Sequence, residues 1–534
     1  MNATFAGNSD STISADINLG SGGITKNGSG KLSFTGAKSF TGDTTVNAGT
    51  LESVGSAMSS AVAVANGATY EIDLVADDDA ATYSKIISGA GSFLKSGVGA
   101  LTFDQVHSYT GATTISEGEL KVSSSGSLSN STAVSVSNGA TYELGASDEV
   151  GSIASDGAIN LGSFTLSSGS DNSDQTFSGT ISGTGGLTKS GTGKLSLTGA
   201  KSFTGATTVN AGTLESEGSS MSSAVAVANG ATYEIDLVAA ADSATYSKII
   251  SGAGSFLKSG LGALTFDQVH SFTGATTISG GDLKISSSGG LSNSTAVSVD
   301  NGATYELGAN DEVGSIEGAG AINLGSSTLT SGGDNSDKNF SGVMSGGGSF
   351  TKAGSGKTTL SGSNTYSGGT TILAGTLEIS GAPNSDSSIV VSSGADLKFN
   401  TSGSQPYTGV ISGSGSLTKS GTGTTTLSGS NTYSGGTTIS AGTLKVTGAL
   451  ADTALSVSSG AIYDVDRTDE IGSIEGEGDI DLASGITLTA GGSVDKNFSG
   501  VMSGGGSFTK AGSGIITLSG SNTYSGGTTI SAGT

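Results

Sequence analysis

The chain has 534 residues, with 92 glycines, two prolines, no cysteine, and 45 acidic against 21 basic side chains for a net charge of −24. Glycine at more than twice its usual ~7% without a collagen period, and proline confined to Pro383 and Pro406, exclude collagen and proline-rich linkers. Absence of cysteine excludes disulfide staples and thiolate metal sites, the acidic balance without a basic stripe disfavours nucleic acid as a partner, and no run of about eighteen apolar residues offers a membrane span.

Residues 1–19 show weak strand patterning, read as a terminal strand or partial cap, with no positive segment followed by an apolar one that would serve as a signal peptide. In "TYEIDL" Tyr70, Ile72 and Leu74 alternate with Glu71 and Asp73, and farther on Val134, Val136, Tyr142 and Leu144 alternate with polar neighbours. A period of two marks half-buried strands and decides against disorder. No apolar face at helical spacing is long enough for a helix, so the strands must turn back through Gly-Ser, Gly-Gly and Ser-Asn corners.

One unit recurs around lysines 26, 95, 189, 258, 352, 419 and 510, spaced 69, 94, 69, 94, 67 and 91 residues apart. Short and long modules alternate, and "SSAVAVANGATYEID" at 59–73 returns unchanged at 222–236, so the larger unit is a superrepeat of about 160 residues. The expected division is 1–19, three superrepeats at 20–182, 183–345 and 346–503, and a truncated repeat at 504–534, all in one continuous solenoid. A turn of ~23 residues would make the two spacings three and four whole turns. In the copy at 415–446, Leu417, Leu427, Tyr433, Ile439 and Leu444 are expected inside, with the intervening threonines on the outer face.

The core G-x-G-x-(L/F)-x-K-x-G-x-G, followed by (Y/F)-(S/T)-G-x-T-T-(I/V)-x-x-G-x-L, resembles the passenger-associated transport repeat, or autotransporter-associated β-strand repeat, of bacterial type V secretion passengers. The spacer "NGATYELGASDEVGSIASDGAINLG" at 138–162 is similar to segments found between such repeats and returns, slightly altered, at 301–325. The resemblance implies an all-β, right-handed parallel β-helix forming an elongated rod, exported through the outer membrane and displayed on the bacterial surface as adhesin or biofilm material. Contacts with glycans, host surfaces or further copies of the chain, head to tail or laterally, are the partners this implies. With neither a signal peptide nor a closing leucine after Thr534, the chain is expected to be an internal passenger fragment.

Candidate chemistry is sparse. His107 and His270 share a repeat position with Lys38, Lys201, Asn364, Asn431 and Asn522, which reads as a solvated corner where removal of His270 should do almost nothing. Asp77, Asp78 and Asp79 suggest calcium, but the duplicate positions hold Ala240, Ala241 and Asp242. Each of the seven lysines reads as a marker of the solvent face of an uncharged strand that discourages sideways pairing. Parallel β-helices also carry polysaccharide-acting enzymes, but near-duplicate superrepeats with Arg467 as the single arginine offer no unique cleft. The expectation is a non-enzymatic chain without catalytic, cofactor or metal residues.

Overall fold

The structure is a computed structural model that describes residues 1–383, 385–450 and 452–534. Among them every regular element is a β-strand of two to five residues, and the strands stack in parallel as a β-solenoid of about 26 turns. Strands are this short because a glycine or polar corner interrupts each inward alternation after one or two core side chains. Parallel ladders then satisfy the main chain between turns, which no single turn can do for itself. The chain forms two compact units, Met1–Ser259 with Ser271–Gly274, and Gly260–His270 with Ala275–Thr534.

In the first unit, one stack runs through Ala3–Phe5, Ile24–Lys26, Thr44–Val46, Val62–Val64, Ile87–Gly89 and Ser108–Tyr109. A second contains Lys31–Phe34, Thr50–Val54, Thr69–Asp73, Ser92–Ser96 and Thr113–Ile115, and a third contains Ala80–Tyr83, Ala100–Phe103 and Glu119–Val122. Pairing is in register: Tyr70 lies between Leu51 and Phe93, so like side chains stack turn upon turn. The interior is aliphatic and aromatic, with Tyr70, Tyr83, Phe93, Phe103 and Tyr109 forming a chain of rings whose centroids lie 5.0–6.2 Å apart.

The turn is shorter than expected and the modules are not whole turns. Lys26 pairs with Val46 in the first stack, whereas Lys95 pairs with Ile115 in the second, so the 69-residue step ends one face farther round the coil. The following 94 residues return to the first face, where Ser168 pairs with Lys189. A superrepeat of 163 residues thus closes on whole turns of about 20 residues, while either module alone does not. A duplicated piece returns each residue to its own stack only if it closes on whole turns, which the pair of modules does and either module alone does not.

In the second unit Asp311–Val313, Thr328–Ser331, Ser349–Lys352 and Thr370–Ile372 form one stack, and Ser416–Ser420, Thr437–Ile439, Ala454–Val457 and Ser473–Gly476 continue another. Leu417, Leu427, Tyr433, Ile439 and Leu444 are all buried, as expected. The threonines depart from expectation: Thr425 and Thr437 are buried too. Thr437 is four residues from Tyr433, and their hydroxyls meet at 2.6 Å, so each supplies the partner the other needs inside. Tyr366 and Thr370 repeat the pair at 2.7 Å.

Candidate functional site

The seven lysines do not mark a solvent face; all are buried at the ends of inward strands. In Ser92–Ser96 both Phe93 and Lys95 point inward, and the lysine stem carries its ammonium to the corner. There Nζ donates to the carbonyls of Ser96 at 2.8 Å, Gly97 at 2.6 Å and Glu117, one turn later, at 3.3 Å. Gly97 has φ +70° and Gly118 +63°. These left-handed turns, which glycine adopts at little cost, tip main-chain oxygens toward one point. Three donors on a flexible stem meet three carbonyls, one of which, Ser96 O, also accepts from Leu74 N at 3.1 Å.

Lys189, Lys352, Lys419 and Lys510 repeat the cage at 2.5–3.3 Å, always with the next residue, the following glycine and the alanine twenty-two residues on. Lys26 reaches Gly28 and, at 3.1 Å, Ala48; Lys258 donates to Ser259 at 2.6 Å. Burial pushes the pKa of Lys95 and Lys419 down to about 8. Each ammonium therefore ties its own corner to the next turn, and its hydrogens are committed to main-chain oxygens.

The shared corner position is also interior, which overturns its reading as a solvated turn. Asn364 and Asn431 accept through Oδ1 from the amides of Met344 and Ile411, each at 3.0 Å and twenty residues earlier. His107 does the same with Nδ1, accepting from Ile87 N at 3.0 Å, while its ring stacks on Tyr83 and packs 4.0 Å from Phe103. Burial lowers its pKa to about 4, so the ring is neutral near neutral pH and Nδ1 can accept. His270 is equally buried, packs 4.0 Å from Phe266 and has its pKa lowered to about 4 for the same reason. Its removal would open a gap in the core, contrary to expectation. Lys38 and Lys201 solve the position differently, donating to carbonyls such as Val54 at 2.8 Å and Glu217 at 3.0 Å.

Asp148, Asp311 and Asp469, which the sequence reading passed over, act like these asparagines. Their carboxylates accept from the amides of Leu128, Leu291 and Leu450 at 3.1–3.2 Å, and receive the hydroxyls of Tyr142, Tyr305 and Tyr463. Burial pushes the pKa of Asp311 and Asp469 up to about 6.

Asp77 and Asp78 are exposed and Asp79 is half-buried; Asp79 accepts from Ala76 N at 2.9 Å, a turn bond that Asp242 repeats with Ala239 N at 2.9 Å. Among the described residues the carboxylates that do converge are Glu215, Glu234 and Asp236. Lys194 already supplies a cation there, 2.6 Å from Glu215 and 3.2 Å from Glu234, as Lys31 does between Glu52 and Glu71 at 2.5 and 3.0 Å.

Exposed polar side chains gather instead in a groove of about 440 Å³ in superrepeat 2, floored by Gly289 and Gly290. Asn293 donates to Glu312 at 3.1 Å on one wall, and Asn310 accepts from Thr328 N at 2.8 Å on the other. Among the described residues no helix is long and apolar enough to cross a membrane.

The passenger-associated transport repeat model matches residues 24–52, 93–122, 187–215, 256–285, 350–379, 417–446 and 508–534. Each of these segments holds one of the buried lysines together with a left-handed glycine twenty-three residues later, at 49, 118, 212, 281, 375, 442 and 533. A curated relative, the adhesin BmaC autotransporter of Brucella suis biovar 1 (strain 1330), is 30% identical over 309 residues, covering 50% of this chain and 9% of the relative. The chain thus spans less than a tenth of the relative's length. No solved structure gives a significant match. Seven passenger-associated transport repeats and an autotransporter adhesin among its relatives support an autotransporter passenger segment, a kind of chain exported through the outer membrane to the cell surface.

Proposed function

We propose that this chain is a non-enzymatic, adhesive stalk region of a surface-displayed passenger, acting through length, stiffness and a repeated outer surface. One observation carries the reading: the recurring residues that looked chemically competent are spent on structure, the lysines on main-chain carbonyls and His107 on a main-chain amide. A cation that cages three oxygens and a ring packed among aromatics are not placed to attack a substrate. The relative's name supports adhesion. The three superrepeats then act as successive lengths of one stalk.

The test is adherence of beads coated with the purified chain to cultured cells, alongside incubation with polysaccharides and assay for new reducing ends. Attachment above uncoated beads without cleavage is expected. Absence of attachment, or cleavage by the chain, would overturn the reading.

A further inference from the structure

We propose that the groove of superrepeat 2 binds an uncharged saccharide. The inference rests on the adhesive reading and gives it a ligand class. The groove, about 440 Å³, lies within the range of small-ligand sites and can take one or two sugar rings. Its donors and acceptors stand on neighbouring rungs, since Glu312 is the ladder partner of Thr330. The Glu312 carboxylate, held by Asn293 through one oxygen at 3.1 Å, keeps its other oxygen for a hydroxyl. Asn310 uses Oδ1 on Thr328 N and presents its NH2 as a donor. A carboxylate, an amide and threonine hydroxyls in a row match the alternating donors and acceptors of vicinal sugar hydroxyls.

The floor supplies the apolar part. Val269, 62% exposed, pairs with Gly290 and offers a small face to a sugar's C–H surface. Gly290 also opens the groove: a Cβ there would come within 3.2 Å of the Asp311 carboxylate. The corresponding residues of the other superrepeats are Ser127 and Ala449, paired with Val106 and Ser430. Wall chemistry recurs in them, with Asn130 donating to Glu149 at 3.2 Å and Thr468 Oγ accepting from Thr487 N at 3.1 Å. Superrepeat 2 is therefore the copy in which the same walls meet the barest floor. With Glu312 on the wall, Asp311 beneath and a net charge of −24, uronic, sialylated and sulfated sugars are repelled, leaving neutral ones.

The test is saturation-transfer NMR of the full chain with a panel of neutral di- to tetrasaccharides, and with sialyllactose and a sulfated disaccharide as acidic probes. Transfer to at least one neutral saccharide and none to the acidic probes is expected. Gly290→Ser copies the floor of superrepeat 1 and so preserves the fold; it and Glu312→Gln should each weaken binding by roughly fivefold or more. No transfer to any neutral saccharide, or binding unchanged in both variants, would overturn the proposal. If coated beads still adhere to cells in that event, the groove is wrong and the adhesive reading stands; if they do not adhere, the adhesive reading has failed.

Discussion

Replacing Lys419 by methionine keeps most of the buried stem and removes the ammonium. Left behind are the carbonyls of Ser420 and Gly421, each 2.7 Å from Nζ, and that of Ala441 at 3.3 Å. An unpartnered buried acceptor costs about 1–3 kcal/mol, but this corner is only half-buried and water can reach part of it. Losing a cation that burial already disfavours offsets a further share. The net loss should be about 2–4 kcal/mol, confined to the turns the ammonium joins, because solenoids open locally. Hydrogen exchange read by mass spectrometry should therefore accelerate roughly 30- to 700-fold in Ser416–Ser420 and Thr437–Ile439. Lys398→Met is the control: its partly exposed ammonium meets the buried Glu378 at 3.1 Å, but that carboxylate keeps Asn400 at 2.9 Å and Lys357 at 3.6 Å, so the change should matter by about 1 kcal/mol or less. Equal exchange in both variants would refute the cage as a lock between turns.

Asp311 holds its proton to about pH 6 in the fold, whereas an unfolded aspartate releases it near 3.8, so between these values the folded chain binds more protons. Its contribution is present at low pH and lost as pH rises through 6, so acidifying from pH 7 to 4.5 should raise the unfolding free energy read from urea titrations by about 2 kcal/mol from this group. Asp311→Asn, which keeps an acceptor for Leu291 N, should flatten that rise; an unaltered pH profile would contradict the assignment. His107→Asn should cost less than His107→Ala, since asparagine already caps the same position at Asn364 and Asn431, while alanine strands Ile87 N and leaves a cavity of about 2–4 kcal/mol. Identical melting of the two variants would refute the shared capping role. Leu427→Asp should open the coil locally at a cost of several kcal/mol, seen as protease cutting near Thr424–Leu427, and resistance equal to wild type would contradict the inward stack.

The all-β coil was legible because alternation and corner residues are local signals that the ladders then reuse on every turn. The lysines were legible too, yet their charge outweighed their parity in the reading. Lys419 sits two residues after buried Leu417, and Lys95 two after buried Phe93, so the period of two already placed both inside. What alternation does not carry is the third carbonyl, which comes from Glu117 or Ala441 on the next turn and depends on two left-handed glycines coming into register. The corner position misled for a similar reason. Histidine, asparagine and lysine look interchangeable at a solvated turn, but here they share only a buried place, two accepting from an amide and one donating to carbonyls. Turn length was overestimated because the modules were assumed to close on whole turns; the pairing of Lys26 with Val46 and of Lys95 with Ile115 shows that only the superrepeat does.

The claim that this passenger segment works as a stalk is tested most directly by small-angle X-ray scattering of the purified chain. The proposed stalk requires one continuous coil, and about 26 turns at a strand spacing of ~4.8 Å would then give a length near ~125 Å and a radius of gyration of ~36 Å. A compact domain of this length would give ~24 Å. A value near ~36 Å with a constant cross-section is the predicted result; a value near ~24 Å with a globular distance distribution would contradict the stalk.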